Sequence, residues 1–167
     1  MLNPGFNSVL GQGYHIHRGW PMEHWQKLIG IITGRYGLSA AINGSPDEGA
    51  HFNSLLALPK VYSMFGSSIP ELVNAVRDAE CLISVDTGTM HLGAAMGVPT
   101  IALFGPSLPD LTGPYLSVTP GKVLSSNIEC QPCYGTDLRK TCTFNRCMYE
   151  LLPEEVSAAL GALLGKH

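Results

Sequence analysis

The chain has few charged residues and no excess of positive charge. Asp, Glu, Lys and Arg make up 14% of its 167 residues, and the formal net charge is -3 at pH 7. Proteins that bind nucleic acid neutralise phosphates with clustered Lys and Arg, so this composition argues against a nucleic-acid partner. Long apolar runs are also missing, since no stretch approaches the roughly 18 residues of a membrane-spanning helix. We therefore expect no transmembrane segment.

Export signals and repeats are absent as well. No basic segment followed by an apolar stretch occurs at the N-terminus, which predicts a cytoplasmic protein without a signal peptide. The pair Gly11-x-Gly13 lacks the third glycine of a dinucleotide-binding fingerprint and follows no apolar strand, which argues against an oxidoreductase. A length of 167 residues without internal repeats predicts a single α/β domain over residues 1–167.

The most informative part of the sequence lies near its middle. Residues 81–85 are a short apolar run with β-branched members, which predicts a buried strand. Residues 86–88 predict a turn onto a helix, and Gly97 with Pro99 predicts the end of that helix. Residues 100–104 predict a second buried strand. The unit is therefore expected to be a right-handed crossover between two parallel strands.

The predicted turn before this helix is suited to bind an anion. Ligands of parallel sheets lie beyond the carboxyl ends of the strands, where the positive end of a helix dipole faces outward. Thr87, Gly88 and Thr89 would offer main-chain N–H groups there, and Gly88 lets an anion approach closely. His91 would place an imidazole beside the anion, or it is an ordinary surface histidine. We interpret Asp86 as the N-cap that holds the turn, because its charge would repel a phosphate.

Other apolar periodicities predict further helices and one more strand. Residues 38–42 predict a short strand, and Ser68 with Glu71 has the spacing of a capping box. Pro21 and Pro153 predict the first positions of two helices, the second over residues 153–164. The expected buried faces are Trp25, Leu28, Ile29 and Ile32; Leu72, Val76 and Ala79; and Val156, Leu160 and Leu163. We therefore predict a doubly wound, mostly parallel α/β sheet with helices on both faces.

The central segment also matches a family signature. The signature is Asp-Ser/Thr-Gly-x-x-His-Leu-x-Ala-Ala, a gap with Pro, an apolar strand, and then Phe/Tyr-Gly-Pro-Thr/Ser. The matching residues are Asp86, Thr87, Gly88, His91, Leu92, Ala94, Ala95, Pro99, Phe104, Gly105, Pro106 and Ser107. The chain therefore resembles glycosyltransferase family 9, the lipopolysaccharide heptosyltransferases.

The resemblance covers nearly the whole chain and implies further site residues. It includes the turns Asn3-Pro4-Gly5, Arg18-Gly19-Trp20-Pro21, Asn43-Gly44-Ser45-Pro46-Asp47-Glu48 and Phe65-Gly66-Ser67-Ser68. Arg18 stands where the family has a Lys that contacts phosphate. Glu48 stands where the family has a Glu that contacts the nucleoside ribose, and the adjacent Asp47 is the alternative. Gly105 and Pro106 would shape the loop beside the sugar.

The resemblance implies one half of a two-domain enzyme of the GT-B type. The chain is similar to the C-terminal, donor-binding domain, a Rossmann-like half whose usual donor is ADP-heptose and whose acceptor is the lipopolysaccharide inner core. The general base of this inverting reaction is an Asp of the N-terminal domain, which is not in this chain. We therefore expect the chain to bind a nucleotide sugar but to transfer nothing alone. The expected location is the cytoplasm, or a peripheral position at the inner face of the inner membrane.

The expected chemistry needs no metal ion or other cofactor. Negative charge grows on the diphosphate as the sugar leaves it, so a positive group must lie there. The sequence contains no Asp-x-Asp triplet of the kind that holds a divalent metal in other glycosyltransferases. A helix N-terminus at Thr87 to Thr89, assisted by His91 and Arg18, is the metal-free alternative.

Four cysteines form a second group, in an insertion at about residues 128–148. Their pattern is Cys130-x2-Cys133-x8-Cys142-x4-Cys147. The short spacings suit a structural zinc site, although the middle spacing is shorter than in common zinc ribbons. Free or variably oxidised thiols are an equal alternative, and an iron–sulfur cluster is a weaker one.

Two other functions fit parts of the sequence. A nucleotide-sugar epimerase of the same architecture would also bind a diphosphate at a helix terminus, and it would prefer UDP. A non-enzymatic, zinc-stabilised interaction module would bind metal without affinity for nucleotides.

Overall fold

The strands form one parallel sheet. The computed structural model describes residues 1–5 and 16–166, so the Gly11-x-Gly13 pair lies outside the described residues. The described strands are β1 (Leu2–Asn3), β2 (Ala40–Ile42), β3 (Val61–Ser63), β4 (Leu82–Val85), β5 (Thr100–Phe104) and β6 (Gly121–Ser125). They lie in the order β3-β2-β1-β4-β5-β6, and each neighbouring pair is parallel. This is the strand order of a dinucleotide-binding sheet.

Helices lie between the strands, and three more follow β6. They are α1 (Met22–Gly34), α2 (Asn53–Leu56), α3 (Ile69–Arg77), α4 (Gly88–Ala95), α5 (Pro109–Thr112), α6 (Asp137–Lys140), α7 (Arg146–Tyr149) and α8 (Pro153–Leu163). Short 3-10 helices occupy Ile16–Arg18 and Pro46–Glu48. Among the residues that the structure describes, no helix has both the length and the apolar composition needed to cross a membrane.

The sheet has a hydrophobic core on each face. Along β5, Ile101 and Leu103 pack into the larger core, which also contains the buried faces of α1 and α8. Ala102 and Phe104 point the other way and pack with Met90 of α4. A strand buried on both sides has no polar face, which explains why residues 100–104 are continuously apolar apart from Thr100. The prediction of a doubly wound α/β sheet is therefore confirmed.

The first and last long helices are buried as their periodicity predicts. Trp25, Leu28, Ile29 and Ile32 of α1 are all buried, and so are Val156 and Leu160 of α8. Pro21 is the N-cap of α1 and not its first helical residue, because its backbone is still extended at ψ 141°. The capping box at the start of α3 is also confirmed, since the main-chain N–H of Ser68 donates to the Glu71 carboxylate at 2.7 Å.

Helix α4 lies very close to the strands that flank it in sequence. A Cβ atom built on Gly93 would lie 2.5 Å from Cδ2 of Leu82 in β4 and 2.6 Å from Oγ1 of Thr100 in β5. Only a residue without a side chain fits at this contact. The helix ends at Ala95, and Gly97 just beyond its C-cap has a φ of +75°, the left-handed conformation that glycine adopts most readily. The close contact at Gly93 holds α4 against β4 and β5.

We expect Gly93→Ala to lower the free energy of unfolding by about 1–3 kcal/mol, because the added methyl group overpacks the contact with β4 and β5. The matched control is Gly30→Ala in α1, where a Cβ would meet nothing within 4 Å. Since Ala has a higher helix propensity than Gly, the control should raise the free energy of unfolding by about 0.5–1 kcal/mol. Urea denaturation measures both changes, and equal effects of the two substitutions would contradict this packing.

Candidate functional site

The candidate site lies where the strand order reverses, between β1 and β4. These strands are neighbours in the sheet although they are far apart in sequence. The helix α1 that follows β1 packs into the larger core, and the helix α4 that follows β4 packs on the opposite face. Because the two connections diverge to opposite faces, a crevice opens beyond the carboxyl ends of the strands.

A cavity of about 650 Å³ occupies this crevice. It is lined by residues at or beyond the ends of β1, β2 and β4 and by residues of α3 and α4. They are Asn3, Gly5, Arg18, Asn43, Gly44, Ser45, Glu48, Ile69, Leu72, Thr87, Gly88, Thr89 and Leu92. The wall thus combines one guanidinium, one carboxylate, a helix N-terminus and three apolar side chains. That composition suits a small polar ligand with an apolar part.

The N-terminus of α4 faces the cavity without a side-chain cap. Thr87 is the N-cap, with an extended backbone at φ -149° and ψ 171°, and within residues 1–5 and 16–166 its side chain makes no capping hydrogen bond to the first turn of the helix. The first N–H groups of a helix have no intrahelical acceptor, so Gly88 and Thr89 are available to a ligand. Among the residues that the structure describes, none lies within 4 Å of a Cβ built on Gly88, so they leave the approach to the helix N-terminus open.

The interpretation of Asp86 as the helix cap is wrong. The chain stays extended for one more residue than expected, so Thr87 takes the cap position and Asp86 lies outside the helix. The Asp86 carboxylate instead lies 3.3 Å from Nε of Arg18, and the two side chains are 6% and 18% exposed. Nη1 of Arg18 also donates to the main-chain oxygen of Asp86 at 3.2 Å. Arg18 is therefore fixed at the cavity wall and is not an ordinary surface arginine.

Glu48, and not Asp47, faces the cavity. Glu48 is 3% exposed, and its Oε2 accepts a 2.8 Å hydrogen bond from the main-chain N–H of Ser45. The carboxylate fills the space beside Gly5 and Gly44, where a Cβ on either glycine would collide with it. Asp47 is exposed and does not line the cavity. Of the two acids that the sequence left open, only Glu48 is placed to meet a ligand.

A network of short side chains ties the three loops around the cavity together. Asn3 ends β1 and lies 2.7 Å from Asn43, which follows β2. The same side chain contacts the hydroxyls of Thr87 and Thr89, both at 3.1 Å, beyond β4. Neither Asn3 nor Asn43 is among the site residues predicted from the sequence. The available signal is that an asparagine ends β1 and another directly follows β2.

His91, Gly105 and Pro106 lie away from the cavity, contrary to expectation. His91 is exposed and lines a separate depression with Tyr115. Gly105 and Pro106 are buried, and a Cβ on Gly105 would lie 2.8 Å from Sδ of Met148. These two residues do not border the cavity because residues 128–148, the Cys-rich segment, pack over them.

Residues 12–145 match the model of a family described as glycosyltransferase family 9 (heptosyltransferase). The chain belongs to glycosyltransferase family 9. Lipopolysaccharide heptosyltransferase 1 of Pseudomonas aeruginosa is 28% identical over 175 residues, which cover 89% of this chain and 45% of that protein. The chain thus spans about half the length of the curated relatives it matches.

Solved structures share the fold. The family 9 glycosyl transferase from Veillonella parvula superposes with a TM-score of 0.76 at 24% identity, over 98% of this chain and 45% of that one. The E. coli heptosyltransferase WaaC, solved with ADP, has a TM-score of 0.72 at 21% identity, over 97% of this chain and 43% of that one. At these identities the likeness establishes the architecture.

The Cys-rich segment is attached to the sheet next to Arg18. The main-chain N–H groups of Cys133 and Tyr134 donate to the Pro106 oxygen at 3.0 and 2.8 Å. The ring of Tyr134 then contacts two guanidinium groups, Arg139 at 4.4 Å and Arg18 at 5.5 Å. Cation–π contacts of this kind hold the charged groups in place. The segment therefore helps to fix Arg18, the cation of the cavity wall, although none of the described residues that line the cavity belongs to it.

The four cysteines of this segment are close enough to influence one another. Burial, followed by the neighbouring thiols of Cys133 and Cys130, raises the pKa of Cys147 to about 12. Burial, Cys130 and Cys142 also raise the pKa of Cys133. None of the four is in a disulfide. Within residues 1–5 and 16–166, no three or more His, Cys, Asp or Glu side chains are grouped to hold a metal ion, so a zinc site stays a prediction from spacing.

We expect Arg18→Leu to lower the free energy of unfolding by about 2 kcal/mol, because it leaves the buried Asp86 carboxylate without its counter-ion. Adding Asp86→Asn should recover at least about 1 kcal/mol of that loss in a double-mutant cycle. The matched control is Arg77→Leu, since the Arg77–Asp78 pair is 59% and 67% exposed. Its effect should stay within about 0.5 kcal/mol. Urea denaturation measures these free energies of unfolding. If the effects of the two single substitutions simply add in the double variant, the pairing of Arg18 with Asp86 is contradicted.

Proposed function

We propose that this chain is the donor-binding domain of an inverting, metal-independent glycosyltransferase that uses ADP-heptose. The observation that carries the proposal is the composition of one cavity wall at the reversal of strand order. There the open N-terminus of α4, the guanidinium of Arg18 and the carboxylate of Glu48 face the same space. A nucleoside diphosphate carries negative phosphates next to a ribose with hydroxyl donors. The phosphates match the helix N-terminus and Arg18, and the ribose hydroxyls match the Glu48 carboxylate.

The diphosphate would bind at the main-chain N–H groups of Gly88 and Thr89. The partial positive charge of a helix N-terminus and the charge of Arg18 would attract it, and both groups are fixed before the ligand arrives. Charge that develops on the leaving diphosphate would therefore be stabilised without reorganisation of the protein. The Glu48 carboxylate would accept hydrogen bonds from ribose hydroxyls at the other end of the wall.

The proposal that no metal takes part is supported by the state of the two carboxylates near the cavity. Asp86 is paired with Arg18, and Glu48 accepts from the main-chain N–H of Ser45. A divalent cation would have to compete with Arg18 for the Asp86 carboxylate, and its own charge would repel the Arg18 guanidinium. Arg18 and the N-terminus of α4 would supply the positive charge in its place.

The proposed sugar and acceptor come from the relatives. The P. aeruginosa relative is named a lipopolysaccharide heptosyltransferase, and E. coli WaaC was solved with ADP. We therefore propose heptose as the sugar, the lipopolysaccharide inner core as the acceptor and the GT-B arrangement for the whole enzyme. The acceptor site and the general base would lie in the part of the relatives that this chain does not span. The isolated chain would then bind the donor without transferring the sugar, in the cytoplasm or at the inner face of the inner membrane.

Calorimetric titration with ADP, UDP and GDP tests donor binding. We expect ADP to bind most tightly and Gly88→Val to weaken its binding by at least about tenfold, because the new side chain occupies the approach to the helix N-terminus. The fold should survive, since a Cβ at this position meets nothing within 4 Å. His91→Ala should change the affinity by less than about twofold, because His91 lies outside the cavity.

The matched control for the titration is Gly30→Val, an exposed glycine of α1 with equally open space around it. It should leave the affinity for ADP unchanged. A preference for UDP would favour the epimerase-like alternative. Loss of ADP binding in both valine variants, or in neither, would contradict the placement of the diphosphate at Gly88.

A further inference from the structure

The side-chain amide of Asn3 uses all of its hydrogen-bonding capacity at the base of the cavity. Asn3 is 4% exposed. Its Nδ2 donates to the Gly5 oxygen at 3.2 Å and to Oγ1 of Thr87 at 3.1 Å. Its Oδ1 accepts from Nδ2 of Asn43 at 2.7 Å and from Oγ1 of Thr89 at 3.1 Å. An amide has two donor and two acceptor positions, so none is left for a ligand.

The orientation of this amide is set by the Gly5 carbonyl. A main-chain oxygen can only accept, so the nitrogen of Asn3 and not its oxygen must face Gly5. The amide oxygen therefore faces the opposite way, toward Asn43 and Thr89. It can only accept, which means that the hydroxyl proton of Thr89 points at Asn3 and away from the cavity.

The proton of the Thr87 hydroxyl is committed in the same way. Its oxygen already accepts from Asn3. The hydroxyl of Ser84 donates to the main-chain oxygen of Val85 at 2.8 Å, which uses its only proton. The 3.2 Å contact between Ser84 and Thr87 therefore has Thr87 as the donor. Neither threonine keeps a hydroxyl proton for an anion in the cavity.

We propose that Asn3 is a positioning residue that makes the Thr87–Thr89 loop an anion site of main-chain N–H groups alone. This role rests on the proposed binding of a nucleoside diphosphate. Asn3 donates a hydrogen bond to the Thr87 hydroxyl and accepts one from the Thr89 hydroxyl. It thereby links the loop to β1 and, through Asn43, to the end of β2. The main-chain N–H groups of Gly88 and Thr89 then keep one direction toward the diphosphate. Without Asn3 the Thr89 hydroxyl is released, the Thr87 hydroxyl keeps only its contact with Ser84, and the loop loses its side-chain hydrogen bonds to β1.

The test compares ADP with adenosine, which lacks the phosphates. Asn3→Ala should weaken the binding of ADP by about tenfold and leave that of adenosine within about twofold, as measured by calorimetric titration. General damage to the domain would weaken both ligands equally. The matched control is Asn53→Ala, an exposed asparagine at the start of α2, which should change neither affinity.

A second variant keeps the volume of the side chain. Asn3→Asp retains an acceptor for Asn43 and Thr89 but cannot donate to Thr87 or Gly5, and it adds negative charge. It should weaken ADP at least as much as Asn3→Ala does, with adenosine again unaffected. Circular dichroism of each unliganded variant establishes that it is folded.

The coupling between residues separates this role from a direct contact of the hydroxyl with phosphate. If Asn3 acts through Thr89, the double variant Asn3→Ala/Thr89→Val should bind ADP no more weakly than Asn3→Ala alone. Unchanged ADP affinity in both Asn3 variants, equal losses for ADP and adenosine, or additive losses in the double variant would overturn the role of Asn3. Failure of the unsubstituted chain to bind ADP would overturn the proposed function, and with it this role.

Discussion

The strands β1 and β4 determine where this protein can bind a ligand. They are parallel neighbours in the sheet although about eighty residues separate them in sequence. Their following helices cover opposite faces of the sheet, so none of the described core side chains fills the space beyond Asn3 and Val85. The hydrogen bonds of the sheet end there, and the main-chain N–H groups that begin α4 are left without intrahelical acceptors. The crevice is a direct consequence of the strand order, and the polar groups around it are placed by the ends of three strands.

The same crevice explains why so many buried polar groups are tolerated in a chain with few charges. Asn3, Asn43 and Ser84 satisfy one another and the two threonines, so their burial carries little desolvation penalty. The one partly buried ion pair, among the residues described, joins Arg18 to the loop before α4. Both arrangements fix the loop geometry before any ligand binds. A preorganised site of this kind loses less entropy on binding and stabilises developing charge more effectively.

The sequence predicted the parts of the fold that depend on local periodicity. The buried face of α1, the capping box of α3 and the strand at residues 100–104 are each encoded within a dozen residues. The site was predicted less completely because its details depend on distant partners. The sequence predicts Asp86 as the cap because its counter-ion, Arg18, is 68 positions away. The family resemblance predicts Gly105 at the cavity because the packing of Met148 over it leaves no local signal. Family resemblance supplied Arg18 and Glu48, but only the structure distinguishes Glu48 from Asp47.

The central claim is that a diphosphate is bound by the main-chain N–H groups at the start of α4. The most direct measurement is a titration of the ¹⁵N-labelled chain with ADP, followed through the amide resonances. If the diphosphate binds at the start of α4, the largest shifts will occur at Gly88 and Thr89, with smaller ones at residues near Arg18 and Glu48 on the cavity wall. Shifts confined to the depression around His91 and Tyr115, with the amides of Gly88 and Thr89 unmoved at saturation, would contradict this claim.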